Sequence, residues 1–263
     1  MQKEDPSVRV TTDSDTGQLL ISGMGELHLE IVCSRLESQY KVECSTGPMQ
    51  VAYRERPTVP CEGAHTLDRL MGGKQQFTQT ELAVEVLDET SAPEVVIATL
   101  EPLEYEVEEA VREGILSACS RGALKGYPLV GLRVVVRKIE KPEETNLGAV
   151  ALCVSECVGK MLRASSAEQD GVCLLQPVMK LEVTANNDDV GSVLTDLTGT
   201  REATVMGVDM ISDTTQTIKA EVALPGMLGY DSVLRKLTSG TGTFSMEYGG
   251  HQDMSTQQAN AVQ

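Results

Sequence analysis

A chain of 263 residues that is 41% hydrophobic has room for two or three small domains, and with 3% aromatics and no Trp their cores must be aliphatic. A net charge of −17 excludes a broad basic face for naked nucleic acid, so any contact with RNA falls to local clusters, such as Arg133/Arg137/Lys138/Lys141 or Arg235/Lys236, together with docking by shape and through proteins. Seven cysteines without a Cys-x-x-Cys argue for reduced thiols over a disulfide framework; no apolar run reaches a membrane span, and the polar start Met1–Pro6 reads as neither a signal nor a transit peptide.

Residues 1–56 read as β-α-β. Val8–Val10 is a short strand, Asp13–Gly17 a turn and Leu19–Ile21 a second strand. Ser22 is placed to cap a helix from about Met24 to Tyr40, with Leu27, Ile31 and Leu36 on one face. Gly23 and Gly25 let the backbone pass close to a neighbour. Val42–Cys44 follows, and Val51–Arg54 forms a further strand. With no room for a strand and helix before Val8, this domain reads as truncated. His28, among apolar neighbours and without a nucleophile or acid nearby in sequence, reads as a packed, hydrogen-bonded side chain.

Residues 57–173 form a second unit. Leu82, Val84 and Val86 alternate along Thr80–Leu87, a half-buried strand, and Val95–Leu100 is another. A helix over about Val107–Arg121 carries the stripe Val107, Val111, Gly114, Ile115 and Ala118, with Gly122 where a C-terminal cap belongs. After the turn at Gly126-Tyr127-Pro128, Val130, Leu132, Val134 and Val136 alternate as a strand. A charged loop with Lys138, Lys141, Glu143 and Glu144 leads to a helix over about Ala149–Leu162, striped by Val150, Val154, Cys157, Val158 and Met161. The pattern is α+β with both helices on one sheet face. Ser165–Gly171 reads as a flexible polar linker.

Residues 174–250 contain an internal repeat at an offset of 40: Ser192-Val193-Leu194 with Leu197-Thr198 recurs as Ser232-Val233-Leu234 with Leu237-Thr238. Each repeated helix lies between strands, Val178–Thr184 and Ala203–Val208, then Ile218–Leu224 and Thr243–Tyr248, which predicts a ferredoxin-like βαββαβ sandwich. The tail 251–263, rich in Gln, Ser, Thr and Asn, reads as disordered.

These segments carry a resemblance. Gly23-Met24-Gly25-Glu26-Leu27-His28-Leu29-Glu30 and Gln50-Val51-Ala52-Tyr53-Arg54-Glu55 resemble domain III of elongation factor G and related translational GTPases. Ala110–Ile115 and Gly122–Pro128 resemble domain IV, of ribosomal-protein-S5-like fold. Gly229-Tyr230, Leu234-Arg235 and Leu237–Gly240 resemble domain V. In that family the loop after the long strand of domain IV reaches the decoding centre and carries a His. Here that segment is Lys138–Asn146, without a His, and the Gly-rich first loop is reduced to Gly72-Gly73-Lys74. After the first domain V helix the family reads Arg-Arg-Gly, this chain Thr200-Arg201-Glu202. Ala64–Arg69 and Ser117–Cys119 are similar to the second mitochondrial branch of the family, which splits ribosomes with the recycling factor and does not translocate.

The resemblance implies an α+β chain of three small domains: a truncated ferredoxin-like β-α-β (1–56), an S5-like domain (57–173) and a ferredoxin-like βαββαβ domain (174–250). It implies a ribosome-binding part of a translational GTPase. Its partners would be rRNA, ribosomal proteins and the recycling factor in the mitochondrial matrix, with no membrane and no DNA. GTP and Mg²⁺ would belong to the N-terminal region of the parent. Contact residues would be Lys125, Tyr127, Lys138, Lys141, Arg201, Arg235 and Lys236, with Gly23, Gly25, Glu26 and His28 a structural motif.

The sequence holds no GxxxxGK[ST] phosphate cradle; Gly72-Gly73-Lys74 lacks both the first Gly and the Ser/Thr. Cys153 and Cys157, one helical turn apart, read as small core residues. A translocating factor, a stand-alone protein-interaction module and an enzyme built on that thiol pair stand as alternatives.

Overall fold

The structure is a computed structural model that describes residues 5, 8–12, 19–22, 26–42, 45–47, 51–87, 91–169 and 171–262. The chain divides into two compact units, one of Met1–Val51 with Val178–Gly249 and one of Ala52–Pro177 with Gly250–Gln263.

In the first unit, β1 (Arg9–Thr12) and β2 (Leu19–Ser22) pair antiparallel, and α1 (Glu26–Ser38) follows. The turn expected at Asp13–Gly17 lies outside the described residues. The apolar face expected through Ile31 is turned by one residue. Val32 is buried and Ile31 exposed, so the covered ridge is Leu29, Val32, Cys33 and Leu36.

The same unit contains the βαββαβ pattern read from the repeat. The strands are β8 (Val172–Asn186), β9 (Thr204–Met210), β10 (Thr215–Ala223) and β11 (Thr243–Asp253), in the order β11-β8-β10-β9. The helices are α4 (Asn187–Thr195), prolonged by a π-turn at Asp196–Thr200, and α5 (Tyr230–Leu237). Ile218, Ala220 and Val222 of β10 with Leu181 and Val183 of β8 meet Val193, Leu197, Tyr230 and Leu234 in an aliphatic core. The repeat extends to hydrogen bonding. Thr198 Oγ1 donates to Leu194 O and Thr238 Oγ1 to Leu234 O, each at 2.8 Å.

In the second unit, β3 (Arg54–Pro57) pairs antiparallel with Val172–Leu175 of β8. A four-stranded sheet runs β4 (Cys61–Met71), β5 (Lys74–Val86), β7 (Leu132–Glu140), β6 (Glu94–Ile97), parallel only between β6 and β7. α2 (Tyr105–Ser120) and α3 (Leu147–Gln169) cover one face. The helices approach so closely that a Cβ on Gly114 would lie 2.4 Å from Ala151 O, which fixes glycine there. β4 escaped the sequence reading because it is an edge strand with charges on both faces.

Two expectations are corrected. The linker expected at Ser165–Gly171 is mostly helix: α3 continues to Gln169, its Ala, Ser and Glu residues being compatible with a helix. The Gly171 N–H then reaches back to Ser165 O at 3.2 Å. The tail expected to be disordered carries the end of β11 and a short helix, α6 (Thr256–Ala261). Ser255 and Gln258 close a capping box at its start, and Asp253 accepts Arg56 at 2.7 Å.

Candidate functional site

The sheet of the second unit ends in a projecting tip. β4 and β5 join through a two-residue turn, Gly72 (φ 59°) and Gly73 (φ 80°), between the paired Met71 and Lys74. Both positions lie in the left-handed region that this turn type needs, hence two glycines. The segment after β7 docks on the hairpin. Thr145 Oγ1 donates to Phe77 O at 3.0 Å, and Asn146 N donates to Gln76 Oε1 at 2.7 Å. The Gln76 side chain is buried to make that bond. The two loops singled out in the sequence therefore share one end of the sheet, with Leu70 and Phe77 exposed there, Lys74 at the turn and a half-buried Lys141. Gly72-Gly73-Lys74 leads into a strand, not a helix, so it does not fit a nucleotide phosphate cradle.

The cations of β7 are spoken for. Arg133 meets Glu94 at 2.8 Å and Glu85 at 3.4 Å, Arg137 meets Glu62 at 2.6 Å, and Lys138 meets Glu140 at 2.7 Å. The Glu140 contact raises the Lys138 pKa. Three cations of the cluster conspicuous in the sequence, Arg133, Arg137 and Lys138, are thus charge-balanced on β7.

Lys125 and Tyr127 lie in a loop wrapped round a side chain the sequence reading passed over, Glu55. The Glu55 carboxylate is 0% exposed and accepts the backbone N–H groups of Leu124 (2.8 Å), Lys125 (2.7 Å) and Tyr127 (3.0 Å). A Cβ on Gly122 would lie 2.2 Å from Glu55 Oε2, so that glycine answers to the carboxylate rather than to a helix cap. The Tyr127 ring packs on Tyr53 at 5.3 Å, and Lys125 Nζ donates to Val262 O at 2.9 Å. Nothing in the sequence marks Glu55, because its partners are main-chain N–H groups about 70 residues away.

Arg201 is turned inward. Its Nε donates to Asp196 Oδ2 at 2.8 Å, a second nitrogen donates to Gly226 O, and the guanidinium sits 4.5 Å over the Tyr230 ring. Its side chain is only 9% exposed, so the residue expected at an RNA contact holds the π-turn to the start of α5 instead. Arg235 pairs with Asp231 at 3.0 Å and stays exposed, as does Lys236 beside it. Gly23 and Gly25 lie outside the described residues, as do the side chains of Glu26 and His28.

Cys153 and Cys157 are buried under α3. The Cys153 thiol donates to Thr78 O (3.4 Å) and Cys157 contacts Gly63 O (3.8 Å). Burial raises both pKa values, that of Cys157 to about 12, so neither is poised as a thiolate. Among the described residues no group of three His, Cys, Asp or Glu side chains is arranged to hold a metal ion.

The described residues thus comprise a ferredoxin-like βαββαβ unit and a four-stranded α+β unit with a two-loop tip. Family models for elongation factor G match most of the chain: domain III over residues 1–48, domain IV over 49–145 and the C-terminus over 173–262, with 146–172 outside them. The chain belongs to the elongation factor G family. Over its full length it is 39% identical to "Ribosome-releasing factor 2, mitochondrial" of Danio rerio and 34% to that of Mus musculus. It is 32% identical, over 94% of its length, to elongation factor G 1 of Bdellovibrio bacteriovorus. It spans about a third of these relatives, 34%, 33% and 35% of their lengths. A crystal structure of a Thermus thermophilus protein superposes with a TM-score of 0.79 at 28% identity, covering 99% of this chain and 38% of that one.

Proposed function

We propose that this chain is the ribosome-engaging region of a translational GTPase that disassembles mitochondrial ribosomes together with the recycling factor. The observation that carries this reading is the match, over the whole chain, to relatives named mitochondrial ribosome-releasing factor 2. In this reading GTP and Mg²⁺ are bound by a part of the parent outside this chain. The working segments are 1–56, 57–173 and 174–250. The tip of the second unit, with Lys138 and Lys141 flanking it, presses on the recycling factor. Lys125, Tyr127, Arg235 and Lys236 contribute to the ribosome interface. The segment binds a ribosome state with weakened subunit bridges more tightly than the intact one, and that differential affinity moves the equilibrium.

The identity to a bacterial elongation factor G 1 favours a second reading, translocation. One pair of assays separates them, using the protein that carries this chain with mitochondrial ribosomes. Light scattering reports subunit splitting with the recycling factor, and polypeptide synthesis reports translocation. Splitting without synthesis is expected; synthesis without splitting overturns the proposal.

A further inference from the structure

We propose that Arg69, Lys160 and Arg163, gathered where α3 crosses the edge strand β4, form a docking strip for the phosphate backbone of RNA. The sequence gives no hint of it, since the contributing positions are 91 residues apart between His65 and Glu156. The fold joins them through two periodicities. On β4 the odd positions His65 and Arg69 face α3, while Glu62 and Asp68 belong to the opposite face. On α3, residues 156, 160 and 163 form one ridge at spacings of four and three.

Glu156 stands at the centre. It faces His65 Nε2 at 3.0 Å, Arg69 Nη2 at 3.4 Å and Lys160 Nζ at 4.0 Å, and Lys160 Nζ is 3.3 Å from His65 Nδ1. A neutral imidazole satisfies both contacts, donating from Nε2 to the carboxylate and accepting at Nδ1 from the ammonium. Glu156 is the one carboxylate among the described residues that serves these cations, and Arg163 forms no ion pair among them. The Arg163 guanidinium folds back over Gly159, where a Cβ would come within 3.2 Å of Nη2.

The contrast with β7 decides the matter. There each cation has a carboxylate of its own; here Arg69 and Lys160 share one and Arg163 has none among the described residues, on a chain whose total charge is −17. The Arg69 and Lys160 side chains are 58% and 57% exposed. They stand on a helix and a strand at the rim of the sheet, so the spacing of their backbone positions is set before any partner arrives. Uncompensated guanidinium and ammonium groups in a fixed row fit a phosphodiester backbone, which carries charge at regular intervals and needs no sequence readout.

This inference rests on the ribosome reading and is tested so that the two fail separately. The 263-residue chain is titrated against ribosomes, a short RNA duplex and polyglutamate across a salt series. Replacing Arg69, Lys160 and Arg163 singly by Ala is expected to weaken ribosome and duplex binding several-fold and to lower the salt slope by about 1 per cation removed. Glu156→Gln is expected to move binding the other way, by a similar factor. A folded triple variant with an unchanged salt slope on both RNAs overturns the strip. So does a loss confined to polyglutamate, which would point to an acidic protein. Failure of the unsubstituted chain to bind ribosomes, with the duplex slope still responding, overturns the ribosome reading and leaves the strip standing.

Discussion

Each unit of this protein draws one charged side chain out of water, and the two are held by opposite means. Glu55 is an anion satisfied by the main chain: three N–H groups of one loop converge on its carboxylate. Its own N–H donates to Pro128 O and its carbonyl accepts from Val130, each at 2.9 Å. Arg201 is a cation satisfied by a carboxylate, a carbonyl and the face of a ring. The first arrangement organises a loop that has no hydrophobic core of its own. The second pins a helix end that already packs on Leu197 and Tyr230. Removing the charge should therefore be more damaging for Glu55, because the orphaned donors have nowhere else to turn.

Glu55→Ala is expected to destabilise the second unit by about 3–5 kcal/mol, as a buried charge network losing its centre does. Glu55→Gln, which keeps the shape but presents an N–H to an N–H, should cost about half as much. Urea unfolding gives the total, and hydrogen exchange in peptides over 119–130 locates it. A loss under about 1 kcal/mol for Glu55→Ala would mean that the loop holds itself, and the asymmetry with Arg201 would collapse.

The same pair measures what could be read from the sequence. Arg201 sits in a polar, basic-looking segment, and nothing local says that Tyr230, 29 positions later by numbering, will cover it. Glu55 is one carboxylate among 39 acidic residues, and its partners are main-chain groups that no side-chain pattern advertises. The βαββαβ repeat was legible because both helices are amphipathic and their strands alternate. β4 was not, for it is an edge strand with Glu62, Thr66 and Asp68 on one face and His65 and Arg69 on the other. The first half of β5 was missed for a related reason: Gln76, Thr78 and Thr80 are buried polar residues where alternation of apolar ones was sought. Of the candidate contacts, the tip loops were found through resemblance. The Arg69–Lys160–Arg163 strip needed the crossing of a strand and a helix far apart in the chain.

Arg201→Ala should come second in size, about 2–3 kcal/mol, from a lost buried ion pair, a hydrogen bond and a cation–π contact. Arg201→Lys should recover only part of it, since an ammonium cannot bridge Asp196 and Gly226 while lying flat on the ring. Ribosome affinity of the folded fraction should not change. A fully stable Arg201→Ala protein that loses ribosome binding would make Arg201 a contact after all and break the comparison from the other side.

The remaining effects appear in alkali, and they distinguish the units again. Burial lifts the Cys119 and Cys157 thiols of the second unit from an ordinary value of 9 to about 12. Burial first, then Asp196, lifts the Tyr230 phenol of the first unit from 10 to about 12, against the opposing pull of Arg201. In each case the folded state holds the proton more tightly than the unfolded chain. Stability is therefore intact below the ordinary value and falls as pH climbs towards 12. Urea midpoints measured from about pH 8 to 12 should begin to fall near pH 9, and Cys157→Ala should flatten that first decline. Tyr230→Phe should flatten a later one, starting near pH 10. At about pH 7 it should change stability by no more than about 0.5 kcal/mol, because the Tyr230 hydroxyl is buried without a hydrogen-bond partner among the described residues, while the ring contacts to Phe244 and Arg201 survive the substitution. A Tyr230→Phe variant markedly weaker at neutral pH would show that the hydroxyl is bonded, and that Arg201 is held by a hydrogen-bonded network rather than by the face of the ring.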